Sequence, residues 1–275
     1  MKKTHHLLYL IAPLAGLLCS NLAMASDTGP DVTDPHFKLE PGYLEPASLP
    51  VHVALLGAPP KPESAAFQRD EEARLAALAL RGTTREKLAA TDAELTFPAP
   101  AKAFSCAFGT DINEKNTPHL YSMMQHVLTD AGGSTYAGKN AYNRTRPFVQ
   151  HNEGTCRKDM EPVLRQDGSW PSGHSAAGWA WGLVLSEVHP QRATELLARG
   201  LAFGQSRVVC DAHWQSDVDA GRIMGAATVA VLHDNPAFQA DLAAAKREVQ
   251  AAVKAGSKPT EDCAAERTAL SLSLH

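Results

Sequence analysis

Residues 171–188 read PSGHSAAGWAWGLVLSEV, a serine at a turn and then a long run of small and apolar residues. Ser172 stands where a capping residue starts a helix, and helix formers fill the run after it. Six further segments carry helical spacing: 63–80, 84–93, 117–131, 190–211, 214–233 and 236–255. Thr84, Thr117-Pro118 and Asn235-Pro236 supply start signals for three of them. Sustained period-two runs of Val, Ile and Thr are absent, so strand signals are poor. The expected fold class is all-α, a single-domain helical bundle.

Outward from these helices, the chain divides into an expected signal peptide (1–25), an extended N-terminal arm (26–62), a helical domain (63–255) and a C-terminal tail (256–275). The signal reading rests on Lys2 and Lys3, an apolar stretch from Leu7 to Leu18, and the small-x-small site Ala23-Met24-Ala25. That apolar stretch is too short and too broken, by Pro13 and Gly16, to read as a bilayer span. The arm is rich in Pro, Gly and Asp without periodicity. Residues 130–138 read as a glycine-rich turn, and 148–170 as a polar loop of a length usually tied to function. Trp179 and Trp181 read as core residues. Tyr142, Phe148 and the 148–170 loop are expected to shape the mouth of a pocket.

The formal charge of −4, from 26 basic and 30 acidic residues, argues against a nucleic-acid or anionic-membrane binder. Four cysteines lie beyond the signal: Cys106, Cys156, Cys210 and Cys263. In an exported chain they imply two disulfides with three possible pairings. Cys156 and Cys210 flank segments that must converge, which favours that pair and leaves Cys106 with Cys263. No C-x-x-C or H-E-x-x-H spacing suggests a metal site, so none is expected.

Three charged segments carry chemistry. Lys139 lies seven residues before Arg146, which precedes Pro147. That spacing puts both cations close to one helical face, where they can grip one anion, with Pro147 ending the helix. Ser172 and Gly173 at a helix start leave backbone N–H groups aimed at a bound anion, with the positive end of the helix dipole behind them. His174 comes next, placed to donate to a phosphate oxygen or to protonate a leaving group. His213 and Asp217, four apart, stack on one helical face. The carboxylate can accept the Nδ1 proton and leave Nε2 as a nucleophile. Arg207 stands six residues before His213, about 600° of helical rotation, so a bend is expected near 210–212.

Singly, these are a solvated basic face, a capping serine with a surface histidine, and a His–Asp hydrogen bond. Together and in this order, Lys-x(6)-Arg-Pro, Pro-Ser-Gly-His and Ser-Arg-x(5)-His-x(3)-Asp resemble the full signature of the phosphatidic-acid-phosphatase type 2 and vanadium haloperoxidase superfamily. The neighbouring 204–210 and 213–219 segments, with the export signal, are similar to bacterial class A non-specific acid phosphatases. The resemblance covers roughly residues 63–245. It implies an all-helical fold, a periplasmic location, no cofactor or required metal, and a homo-oligomer.

Carried onto this chain, the resemblance implies that Lys139, Arg146, Ser172, Gly173 and Arg207 hold the phosphoryl group. His213 is then the nucleophile, Asp217 its orienting partner and His174 the general acid. Substrates would be small phosphate monoesters such as nucleotides, sugar phosphates and aryl phosphates, with phosphotransfer to alcohols or nucleosides as a second activity.

Three other readings use the same residues. Vanadate in the same pocket would give a haloperoxidase. A serine hydrolase built on Ser172 lacks the G-x-S-x-G elbow. An exported binding protein for phosphate or metal would not need a His–Asp pair aimed at the anion. Asn143-Arg144-Thr145 matches a glycosylation acceptor, but no modification is assigned to it.

Overall fold

The computed structural model describes residues 39–272, so the expected signal peptide and the first part of the arm lie outside the described residues. The chain runs through α1 (His52–Leu56), α2 (Ala65–Leu78), α3 (Thr84–Asp92), α4 (Ala99–Phe108) and α5 (Pro118–Gly133). Three short helices come after it, α6 (Tyr136–Tyr142), α7 (Pro147–Gln150) and α8 (Glu161–Leu164). The body is completed by α9 (Gly173–Val188), α10 (Ala193–Val209), α11 (Gln215–Leu232), α12 (Pro236–Lys254) and α13 (Cys263–Leu270). No strand occurs among the described residues. The all-α expectation holds.

Helix α9 is the central element because it is apolar on every side, and such a helix must be covered all round. Ala176, Ala177, Ala180, Trp181, Val184 and Leu185 are all buried. Trp181 sits among Phe97, Phe104 and Phe203, and its indole N–H donates to Met124 O at 2.8 Å. α10 and α11 flank α9, and α5 packs along it with α12 behind.

Glycines let these helices approach to backbone contact. A Cβ on Gly200 of α10 would stand 2.8 Å from Gly178 O of α9. On the other side, a Cβ on Gly221 or Gly225 of α11 would stand 2.3 Å from Ser172 O or Ala176 O. The amide of Ser172 then donates to Asp217 O at 3.0 Å, tying the start of α9 to the start of α11.

Residues 39–62 lie over the body as an arm, held to α5 by main-chain groups. Tyr43 N and Leu44 N donate to Asp130 Oδ2 and Oδ1, at 2.9 and 3.1 Å. Thr129 Oγ1 donates to Glu40 O, and the His126 ring meets Pro41 O. Burial pushes the Asp130 carboxyl up to about 6, against those two amides. The stretch read as a C-terminal tail contains α13, and Cys263 at its start is bonded to Cys106 of α4, with Cα atoms 5.4 Å apart. Cys156 and Cys210 form the other pair, with Cα atoms 4.8 Å apart. Both pairs are those favoured from sequence.

Several local expectations change. The glycine-rich turn at 130–138 is helical at both ends: α5 continues through Gly133, and α6 begins at Tyr136 after a short Ser134-Thr135 junction. Ser134 Oγ bonds back to Ala131 O there, and Gly138 is needed because a Cβ would stand 2.8 Å from Pro171. Lys139 and Arg146 do not share a helix. α6 stops at Asn143, in the left-handed region at φ 38°, and Pro147 starts α7 rather than ending a helix. His213 precedes α11 instead of lying on it, so the His–Asp spacing spans a helix start. Helices α1, α4, α6, α7, α8 and α13 were not anticipated: the arm read as extended holds α1, and the stretch read as a polar loop holds most of α7 and all of α8.

The α9–α11 contact leaves no room for a side chain at 221. Gly221→Ala is expected to destabilise the fold by about 1–3 kcal/mol through overpacking against main chain, read as a lowered midpoint in urea unfolding.

Candidate active site

A cavity of about 830 Å³ opens between α5, α6, the 148–170 loop, the start of α9 and the turn after α10. Lys139, Arg146, Gly173, His174, Arg207 and His213 all line it. Ser172 and Asp217 are fully buried behind that lining. The rest of the wall is largely apolar, with Leu95, Met160 and Val163 near the rim and Leu39 and Glu40 of the arm beside them. Phe148 is not at the mouth: it is fully buried, with the Arg165 guanidinium over its ring at 4.8 Å. Tyr142 packs against His52.

Each functional side chain is held by a local device. Ser172 is the N-cap of α9 and accepts from Ser175 N and Ser175 Oγ, so its own hydroxyl proton remains to donate. The bend anticipated after Arg207 occurs at Asp211, whose φ is 58°. There the amides of Ala212 and His213 turn back onto Arg207 O at 3.0 and 3.3 Å. Arg74 fixes this turn with two bonds to the buried Asp211 carboxylate, at 2.7 and 3.0 Å. The turn brings Arg207 and His213 to one cavity although a continuous helix would separate them.

His213 lies between an acid and cations. Its Nδ1 is 3.4 Å from Asp217 Oδ2, while its Nε2 meets Arg146 Nη1 at 2.9 Å. Asp217 Oδ2 also caps Trp214 N at 2.9 Å. Burial, then Arg146, Lys139 and Arg207, hold the His213 imidazole well below its ordinary pKa, so it is neutral. His174 is also held well below, by burial and then Arg207, although Ala93 O favours its charged form at 3.0 Å. Because Nε2 faces a carbonyl, it carries a proton and Nδ1 is the titrating nitrogen.

Lys139, Arg146 and Arg207 are each buried, and burial is the first cause lowering each pKa, with Arg146 the next for Lys139 and Arg207. Lys139 is pushed down to about 8. Arg207 Nε has no hydrogen-bond partner among the described residues. Buried like charges of this kind are stable only with counter-charge, so the cavity is built to take an anion.

Sequence reasoning missed the groups behind this array. Arg144 links Asp217 Oδ1, Ser216 Oγ and Asp70 Oδ2 at 2.5, 2.8 and 2.7 Å, with Phe67, Trp170 and Trp214 around its guanidinium. Asp217 is pushed up to about 6 by burial, and Arg144 is the main opposing influence. Asp167 Oδ2 accepts from Lys139 Nζ at 3.0 Å and from Arg146 Nη2 at 2.8 Å. Ser206 donates to Asp92, which also pairs with Arg199, anchoring α10 to α3 beside Arg207. Arg144 was visible in sequence, but only inside the glycosylation pattern. Asp70, Asp92 and Asp167 carry no spacing signal.

Residues 119–239 match the family described as the PAP2 superfamily. The non-specific acid phosphatase of Salmonella typhimurium is 48% identical over 195 residues, covering 70% of this chain and 78% of that protein. That of Providencia stuartii is 42% identical over 236 residues, 85% of this chain and 94% of the relative. The acid phosphatase of Zymomonas mobilis is 32% identical over 265 residues, 95% and 96% of the two chains.

Removing the guanidinium at 144 would leave Asp70 and Asp217 buried without their shared cation. Arg144→Met is expected to lose about 3–5 kcal/mol of stability by chemical denaturation. Turnover should fall by about tenfold or more through misplacement of Asp217, with Arg144→Lys partly restored.

Proposed function

The chain belongs to the PAP2 superfamily and is a phosphatase, and we propose that it is an exported acid phosphatase that cleaves phosphate monoesters through a phosphohistidine on His213. One observation carries the reading. A neutral imidazole backed by a carboxylate faces the same cavity as three buried cations and a second histidine. Uncharged esters have no use for such a charge, whereas a phosphoryl dianion neutralises it.

In the proposed reaction, Lys139, Arg146 and Arg207, with the amide groups at the start of α9, hold the phosphoryl oxygens. Nε2 of His213 attacks phosphorus as the ester P–O bond breaks, and the leaving oxygen takes the proton of His174. Asp217 holds the Nδ1 proton and stabilises the cationic phosphohistidine. His174 then accepts a proton from water, whose oxygen attacks phosphorus as the P–N bond breaks. Phosphate leaves and both histidines return to their starting states. An alcohol in place of water gives phosphotransfer, and the apolar rim of the cavity suits a nucleoside or aryl group. No step calls for a metal ion. The disulfides, with the signal reading of residues 1–25, support secretion into an oxidising compartment, and by the family resemblance the periplasm and a homo-oligomer.

Purified protein assayed with p-nitrophenyl phosphate in EDTA should turn over. His213→Ala should lose about a thousandfold or more of kcat while keeping its circular dichroism spectrum. Full activity in that variant, or none in the folded wild type, would remove the proposal.

The depressed pKa of His174 also sets the pH response. The acid form persists only at low pH, so kcat/KM should fall as pH rises, from a point below the ordinary histidine range. A bound phosphoryl group offsets the cations facing His174. The descending limb of kcat should therefore lie at higher pH than that of kcat/KM in the same titration.

A further inference from the structure

Asp167 stands in the phosphate cavity on the wrong side of the charge balance. Its Oδ2 lies against both Lys139 Nζ and Arg146 Nη2, and its side chain is 31% exposed. Every N–H of the Arg146 guanidinium is already engaged. Nε donates to Asp167 O at 2.9 Å, and Nη1 to Ala212 O and His213 Nε2, both at 2.9 Å. Nη2 donates to Asp167 Oδ2 at 2.8 Å and to Gly168 O at 3.4 Å. Lys139 Nζ likewise donates to Asp167 Oδ2 and Gly168 O.

A phosphoryl oxygen reaches Arg146 only by replacing one of these acceptors. Three are backbone carbonyls and are fixed by the chain. His213 Nε2 gives up its contact when it turns to phosphorus. The remaining exchangeable acceptor is the Asp167 carboxylate, a side chain free to rotate toward solvent.

We infer that Asp167 is an internal competitor for the phosphoryl site, whose carboxylate yields Lys139 and Arg146 to phosphate, weakening phosphate binding and speeding product release. The inference rests on the phosphate-holding role proposed above for Lys139 and Arg146. The position of the loop does not depend on the carboxylate. Arg146 Nε holds Asp167 O, Lys139 Nζ holds Gly168 O, and Ser169 N donates to Arg144 O at 2.9 Å. What the carboxylate adds is negative charge at the point where the dianion must sit, and like charges sharing one pair of donors repel.

The test is calorimetric titration of inorganic phosphate into the full-length protein, wild type against Asp167→Asn, Asp167→Ser and Asp167→Glu, with circular dichroism on each. The Asn and Ser variants should bind phosphate about tenfold tighter, and Glu, which keeps the charge, as the wild type does. With p-nitrophenyl phosphate, KM and the inhibition constant for phosphate should fall together in Asn and Ser, without a rise in kcat. If Asn does not fold, Ser carries the comparison. Equal or weaker binding by the neutral variants overturns the inference and makes Asp167 an orienting group for the two cations. Tightening in all three variants overturns it too, by tracing the effect to loop packing and not to charge. Absence of phosphate binding in the wild type and every variant overturns the role of Lys139 and Arg146 itself, and the inference with it.

Discussion

The backbone contact between α9 and α11 is the constraint on which the rest of the molecule depends. Gly221 and Gly225 let α11 approach until the carbonyls of Ser172 and Ala176 touch its surface, and Ser172 N closes the gap by donating to Asp217 O. The start of one helix thereby becomes the neighbour of the start of the other. His174 and His213, 39 residues apart in the chain, face one cavity as a result. A wider helix spacing of the ordinary 8–10 Å kind, set by side chains, would part the acid from the nucleophile.

Around that contact the protein spends much of its polar interior on keeping cations in place. Arg144 is bracketed by two carboxylates and three aromatic rings, Arg74 by Asp211, and Arg199 by Asp92. These pairs offset burial among themselves and are structural. Lys139, Arg146 and Arg207 are different: their pKa values are pulled down, so the folded state bears an electrostatic strain that an incoming anion relieves. Catalytic use and stability are thus set in opposition at these three positions, and a bound anion is expected to raise stability.

The helical architecture was legible because long segments such as 172–188 and 214–233 are filled with helix formers and show no period-two alternation, and the capping residue Asn235 announces its helix. Short helices were not, since α6 and α7 hold too few residues for a period to show. At the site, residue types were legible and local geometry was not. Lys139 and Arg146 meet through a left-handed Asn143 and a new helix start, which spacing alone cannot distinguish from one continuous helix. The acids that balance the site, Asp70, Asp92 and Asp167, come from segments with no motif. Only folding places them next to their arginines.

The arm is fastened to α5 by main-chain atoms, the carbonyls of Glu40 and Pro41 and the amides of Tyr43 and Leu44, and to α12 by the Tyr43 side chain, whose hydroxyl donates to Asp241 Oδ2 at 2.8 Å. At Glu40 the anchor is the carbonyl and is indifferent to the side chain, while Leu39 and Glu40 both line the cavity. Substitutions at Glu40 can remodel what the leaving group meets without loosening the strap that carries it. The doorway of this enzyme is free to diversify while its charged interior stays fixed.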